Sequence, residues 1–106
     1  MQMIDERLLN KKVIVTGGSR GIGAGIVKRL VNEGAEIIIA DIEEEQAKKL
    51  IEDLNTKKIN FVKTNLSEED EIIKLFEFAK NHWGTVDILV NNAGIEDGFT
   101  LSNQSY

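Results

Sequence analysis

Cysteine is missing from all 106 residues. That excludes a disulfide framework, a thiolate-bound metal and a cysteine nucleophile. Proline is missing as well, which decides nothing about function. Histidine occurs once, as His82, with no partner at metal-ligand spacing. No apolar run approaches the roughly 18 residues of a membrane span. Met1 to Arg7 carries no basic region ahead of an apolar core, so secretion is disfavoured and a cytoplasmic location is expected. The formal charge is −5 and the basic residues are scattered, so neither nucleic acid nor a membrane surface is an expected partner. What remains is the 42% apolar content of an ordinary globular chain, of a size for one small domain.

The apolar residues fall into alternating patterns. Lys12 to Thr16 and Glu36 to Asp41 are continuous β-branched runs, the mark of strands covered on both faces. Asn60 to Lys63 and Val86 to Val90 read as two further strands. Between them lie helical stretches at about Gly21 to Asn32, Glu43 to Leu54, and from Ser67 to Trp83. The first carries Ile22, Ile26, Leu30, Val27 and Val31 as one stripe. The second buries Ala47, Leu50, Ile51 and Leu54. The third has Ile72, Ile73, Phe76, Ala79 and Trp83 on or near one face, with Ser67 as its expected N-cap. Residues 1–11 form a polar lead-in, and Ile95 to Tyr106 reads as loop. Right-handed crossovers then give an α/β fold: a Rossmann-like, doubly wound parallel sheet of about four strands in order 3-2-1-4, with three helices. A ligand belongs at the reversal between strands one and four.

Thr16-Gly17-Gly18-Ser19-Arg20-Gly21-Ile22-Gly23 stands at that reversal, between a strand and a helix. A helix start offers unpaired N–H groups and a positive dipole end to a phosphate. Gly17 suits the tight turn, Gly21 lets a pyrophosphate near the backbone, and Gly23 lets the helix sit close to the strand.

This stretch resembles the T-G-x-x-x-G-x-G signature of the short-chain dehydrogenases/reductases. A second stretch, Val86-Asp87-Ile88-Leu89-Val90-Asn91-Asn92-Ala93-Gly94, resembles the N-N-A-G motif that ends the family's fourth strand. The two lie in the right order, about seventy residues apart. The resemblance covers nearly all of the chain, and the chain covers less than half of the family's usual domain. Residues 1–106 are therefore expected to be the N-terminal part of one NAD(P)-binding domain, with the catalytic part absent.

The resemblance implies a dinucleotide site. Gly17, Gly21 and Gly23 would hold the pyrophosphate, and Ile22 between them counts among the cofactor-binding residues. Ser19 and Arg20 would sit on the outer side of the turn near the adenosine ribose, where Arg20 either meets a 2′-phosphate or is simply solvated. Asp41 follows Gly23 at close to the spacing of about twenty residues expected for the acid on the ribose hydroxyls. An acid there favours NAD over NADP. Asp41-x-x-Glu44 also reads as a capping arrangement for the second helix. Asn65 stands where the family often has an aspartate near the adenine, and Leu66 would pack beside it; Asn65 also reads as a turn residue. Asn92, Ala93 and Gly94, with Asn91, would line the far wall. The acidic run Glu43-Glu44-Glu45 reads as a solvated helix start.

Members of the family use a tyrosine–lysine pair and a serine for catalysis. Tyr106 is the last residue and lies too soon after Gly94, as do Ser102 and Ser105. No catalytic residue is assigned, and the chain alone is expected to be inactive. An intact protein of the family would move a hydride between the cofactor and an alcohol or ketone. The alternative is a non-catalytic nucleotide-binding or interaction module, or a truncated remnant. Strand four would be an apolar sheet edge, so self-association through it is expected, with Val and Ile side chains uncovered.

Overall fold

Unbroken β-branched runs build the two central strands, β1 (Lys12–Thr16) and β2 (Glu36–Asp41). In a computed structural model, which describes residues 6–92, these are joined by β3 (Ile59–Lys63) and β4 (Ile88–Asn91). All pairings are parallel, and the order is β3-β2-β1-β4. Helices α1 (Gly21–Asn32), α2 (Glu44–Leu54) and α3 (Glu69–Trp83) form the crossovers. A 3-10 turn at Glu6–Leu8 precedes the sheet. This is the doubly wound topology expected from the sequence.

The pleat sorts the strand side chains into two cores. Val13, Val15, Ile37 and Ile39 face α1 and α2, meeting Val27, Ala47 and Leu50. Ile14, Ile38 and Ala40 face α3, meeting Leu75 and Ala79. The six Val and Ile side chains of these two strands' cores are all fully buried. Each such burial contributes about 1.5–3 kcal/mol relative to exposure. Two helices thus cover one face and α3 alone covers the other.

Several local expectations change. Ile22 is 62% exposed and stands off the α1 stripe. On α3 the buried line is Leu75 and Ala79 with Trp83 packed beside them, whereas Ile73 and Phe76 are exposed. Ser67 is not the N-cap of α3; that position is Glu68, with no side-chain cap. The Ser67 N–H and hydroxyl both donate to Asn65 Oδ1, at 3.0 and 2.6 Å, closing a local turn instead. β3 begins at Ile59, where the Ile37 N–H donates to the Lys58 carbonyl at 2.7 Å. β4 begins at Ile88; before it, Val86 packs against the α3-side core and Asp87 clamps β1. The Asp87 N–H donates to the Lys12 carbonyl and its carboxylate accepts from the Lys12 N–H, both at 2.8 Å.

At β4 the strand side chains that stay open are fewer than expected. Ile88 and Val90 pack against the α1–α2 core, and Leu89 on the opposite side is 50% exposed.

Candidate functional site

Register brings the four strand ends to one edge of the sheet. Thr16 lies beside Ala40 and Asn91, and Asp41 beside Lys63. The ladder continues past β1, where the Gly17 N–H donates to the Ala40 carbonyl at 2.9 Å. The segments after β1, β2, β3 and β4 therefore emerge side by side, with the glycine turn at the centre.

Gly17 has φ 66° and Gly21 φ 59°, the left-handed region where a β-carbon is disfavoured. Gly23 serves close approach. A Cβ on it would lie 1.9 Å from the Gly17 carbonyl oxygen and 2.7 Å from Asn92 Nδ2. Helix α1 is thus pressed against its own entry turn and against the end of β4. Asn92 is fully buried, and its Nδ2 donates to the Gly17 carbonyl at 3.0 Å. Its Oδ1 is buried without a partner among the described residues. The Thr16 hydroxyl adds a second tie, to the Val90 carbonyl at 3.3 Å and to Asn91 Oδ1 at 3.1 Å.

The N-terminus of α1 has no side-chain cap and no acid in its first turn. The other two helices carry their own compensation: Glu44 and Glu45 open α2, and Glu69, Asp70 and Glu71 open α3. The uncompensated positive end faces the sheet edge where the strands finish. An uncapped helix start of this kind is a fit for an anionic group.

Asp41 ends β2 beside this turn. Its Oδ1 accepts from the N–H groups of Ile42 at 2.7 Å and Glu43 at 3.2 Å. Its Oδ2 accepts from the Ser19 N–H at 3.3 Å and from the Ser19 hydroxyl. Asp41 is not the cap of α2 in a reciprocal box. The cap position is Glu43, and Glu44 turns to Lys48 at 3.0 Å. The Lys48 hydrogen bond, followed by its charge, holds the Glu44 carboxyl below its ordinary value.

Ser19 departs from its expected place. It is buried, 4% exposed, and faces Asp41 rather than the outside of the turn. Arg20 does lie outside, 66% exposed, with its guanidinium 4.0 Å from the Glu43 carboxylate. Ile22 is exposed next to the turn, open to a ligand. Asn65 and Leu66 follow β3; the Asn65 side-chain oxygen is engaged by Ser67, and its N–H donates to Glu71 Oε1 at 2.7 Å. Ala93, Gly94, Ser102, Ser105 and Tyr106 lie outside the described residues. His82 stands apart on α3, against the Asn60 amide at 3.2 Å and stacked on Phe78. No group of three metal-ligating side chains occurs among the described residues. Glu43 and Thr16 were missed by the sequence reading. Glu43 was hidden in an acidic run, and Thr16, though the first residue of the signature stretch, was given no role of its own.

Comparison with known proteins settles the ancestry of this edge. Residues 11–105 match the short chain dehydrogenase family. The chain belongs to the short-chain dehydrogenases. It is 43% identical over 101 residues to a 3-oxoacyl-acyl-carrier-protein reductase, FabG, of Chlamydia muridarum, covering 92% of this chain and 41% of that one. It is 39% identical over 95 residues to (+)-borneol dehydrogenase 2 of Salvia officinalis, covering 89% and 34%. Among solved structures it superposes on a 3-ketoacyl-(acyl-carrier-protein) reductase of Brucella melitensis complexed with NADH. That match has a TM-score of 0.73 and 29% identity, over 77% of this chain and 33% of that one. The chain thus spans well under half the length of these relatives, and corresponds to the N-terminal part of the short-chain dehydrogenase domain. This family binds a nicotinamide dinucleotide. No helix among the described residues is long and apolar enough to cross a membrane.

Proposed function

We propose that residues 1–106 are the cofactor-binding part of a short-chain oxidoreductase that moves a hydride between NAD and an alcohol or ketone. The observation that carries this reading is the uncapped start of α1, with Gly23 seated against the Gly17 carbonyl and Asp41 at its side. Gly17, Gly21 and Gly23 hold the pyrophosphate with Ile22 beside them, and Asp41 accepts from the adenosine ribose. Arg20 lies at the mouth of that ribose position, and Ser19 orients Asp41 from below. Asn65 and Leu66 border the adenine; Asn92, Ala93 and Gly94 form the wall towards the second ribose. The bound nicotinamide supplies the carbon that takes or gives the hydride. This chain's residues bind and orient it.

NAD is preferred over NADP in this reading because Asp41 puts a negative charge where NADP carries a 2′-phosphate of about −1.5 to −2. Substrate contacts and proton transfer belong to groups other than those assigned here. A cytoplasmic location accompanies this function in the same reading.

Calorimetric titration with NAD and NADP, run beside an assay of NADH formation on small alcohols, tests the proposal. NAD binding is expected, weakened more than NADP binding by Asp41→Ala. Equal loss of both cofactors in that variant would assign Asp41 to backbone support alone. Robust turnover by the 106-residue chain would overturn the placement of catalysis elsewhere.

A further inference from the structure

We propose that Glu43 is a specificity-determining residue, which acts by holding Arg20 away from a cofactor 2′-phosphate. The inference rests on the reading that the α1 turn takes a dinucleotide. Two loops meet at the ribose position: residues 19–20 after β1, and residues 41–43 after β2. They are cross-linked twice. Below, the Ser19 hydroxyl and N–H donate to Asp41. Above, the Arg20 guanidinium lies 4.0 Å from the Glu43 carboxylate.

Both partners of the upper link spring from fixed backbone. Arg20 is the cap position of α1, its carbonyl accepting from the Ala24 N–H at 3.2 Å. Glu43 is the cap position of α2; its carbonyl accepts from the Ala47 N–H at 3.0 Å and its own N–H donates to Asp41. The pair is therefore set by the packing of two helix starts on neighbouring strands.

Arg20 and Asp41 make opposite demands on the cofactor. A guanidinium at the turn attracts a 2′-phosphate, and a carboxylate at the end of β2 repels it. Glu43 resolves the conflict. It occupies the charge of Arg20, which is then not offered to a 2′-phosphate. An NAD ribose offers hydroxyls only and needs neither Arg20 nor Glu43. Exposed ion pairs are weak, so the effect is a bias on the cofactor ratio and not a switch.

The test is titration of the 106-residue chain with NAD and with NADP, in the wild type, Glu43→Gln, Arg20→Gln and the double variant. Glu43→Gln keeps the shape and removes the charge. The NADP-to-NAD ratio of dissociation constants is expected to fall about threefold to fivefold in this variant. In the Arg20→Gln background the same change is expected to move the ratio far less. A ratio unmoved by Glu43→Gln, with NAD binding intact, overturns the role of Glu43 and leaves the site standing. An equal shift with and without Arg20 also overturns it, because Glu43 would then act on the phosphate directly. A wild type that binds neither cofactor overturns the dinucleotide reading, and this inference with it.

Discussion

The Asn92 side chain donates to the Gly17 carbonyl at 3.0 Å, across 75 positions of sequence. One buried amide thus locks the turn after β1 to the end of β4, the two walls of the crevice. The same amide nitrogen limits how much room Gly23 has. The Gly17 turn is therefore not a free loop that a ligand must order. It is held from the far strand before anything binds.

Asn92→Ala removes this donor and leaves the Gly17 carbonyl buried without it. The expected cost is about 1–3 kcal/mol of unfolding free energy. NAD affinity should fall as well, because the turn loses its support. Urea denaturation beside an NAD titration checks both; unchanged values in both would show that the turn holds its shape without β4.

Two glycines of α1 should respond in opposite ways to the same substitution. Gly23→Ala places a methyl 1.9 Å from the Gly17 carbonyl oxygen, a backbone atom that cannot step aside. The helix start must shift, at a cost of about 1–3 kcal/mol or more. Gly25 has nothing within 4 Å of an added Cβ. There Gly→Ala in a helix interior is expected to stabilise by about 0.5–1 kcal/mol. Thermal unfolding of the two variants, one below the wild type and one above, checks the pair.

Ser19 uses its hydroxyl on Asp41, so Ser19→Ala should open an acceptor position on that carboxylate. A carboxylate has about four lone-pair sites, and four protein donors now reach Asp41. A ribose hydroxyl must share or displace one of them. The variant is expected to bind NAD about twofold to fivefold more tightly, a gain of up to about 1 kcal/mol. Weaker binding, measured by calorimetry, would mean that the hydroxyl is worth more to the cofactor, by holding Asp41 or by meeting the ribose itself, than the acceptor position it occupies.

The Glu44–Lys48 pair gives a pH-dependent signature. The hydrogen bond from Lys48, then its charge, lowers the Glu44 pKa from 4.5, and the same bond raises that of Lys48. A lowered carboxyl pKa stabilises the folded chain above the ordinary carboxylate value, and this is lost as pH falls through the lowered one. The raised lysine acts in reverse: its contribution is full below the ordinary lysine value and fades as pH climbs through the raised one. Neutral pH lies inside both windows. Lys48→Ala should return the Glu44 titration towards 4.5, which side-chain carboxyl NMR would show.

The fold was largely legible because its signals are local. Ile37, Ile38 and Ile39 in succession demand a strand covered on both faces, and the strand forms over the expected residues. The glycines of the turn were legible for the same reason. What escaped was competition between neighbours. Ser67 has the chemistry of a cap, but its N–H and hydroxyl close a turn on Asn65 Oδ1 and the helix starts one residue later, with Glu68 at the cap position. Ile73 and Phe76 have the period of a buried face, but α3 lies on its sheet with Leu75 and Ala79 inward. Periodicity does not say which of two adjacent apolar lines a sheet will cover. The ties of the site itself, Ser19 to Asp41 and Asn92 to Gly17, join residues 22 and 75 positions apart. They exist only once the strand order has set those ends side by side.

The open side of β4 leads to the last prediction, self-association. Among the described residues β4 is an edge of the sheet, with one neighbour, β1. Parallel sheets are stable when both faces and edges are covered. On the α3 side this cover is incomplete: Leu89 and Ile73 are each 50% exposed and Phe76 is 39% exposed. An apolar strand edge that carries an exposed Leu89 is a template for pairing with a second copy. Sedimentation velocity is expected to show dimers or larger species of the 106-residue chain, with Leu89→Lys shifting them to monomer. Because Leu89 is half in water already, the lysine can reach solvent and the fold should tolerate it. A wild type that stays monomeric across concentrations would mean that β4 is covered from within the chain.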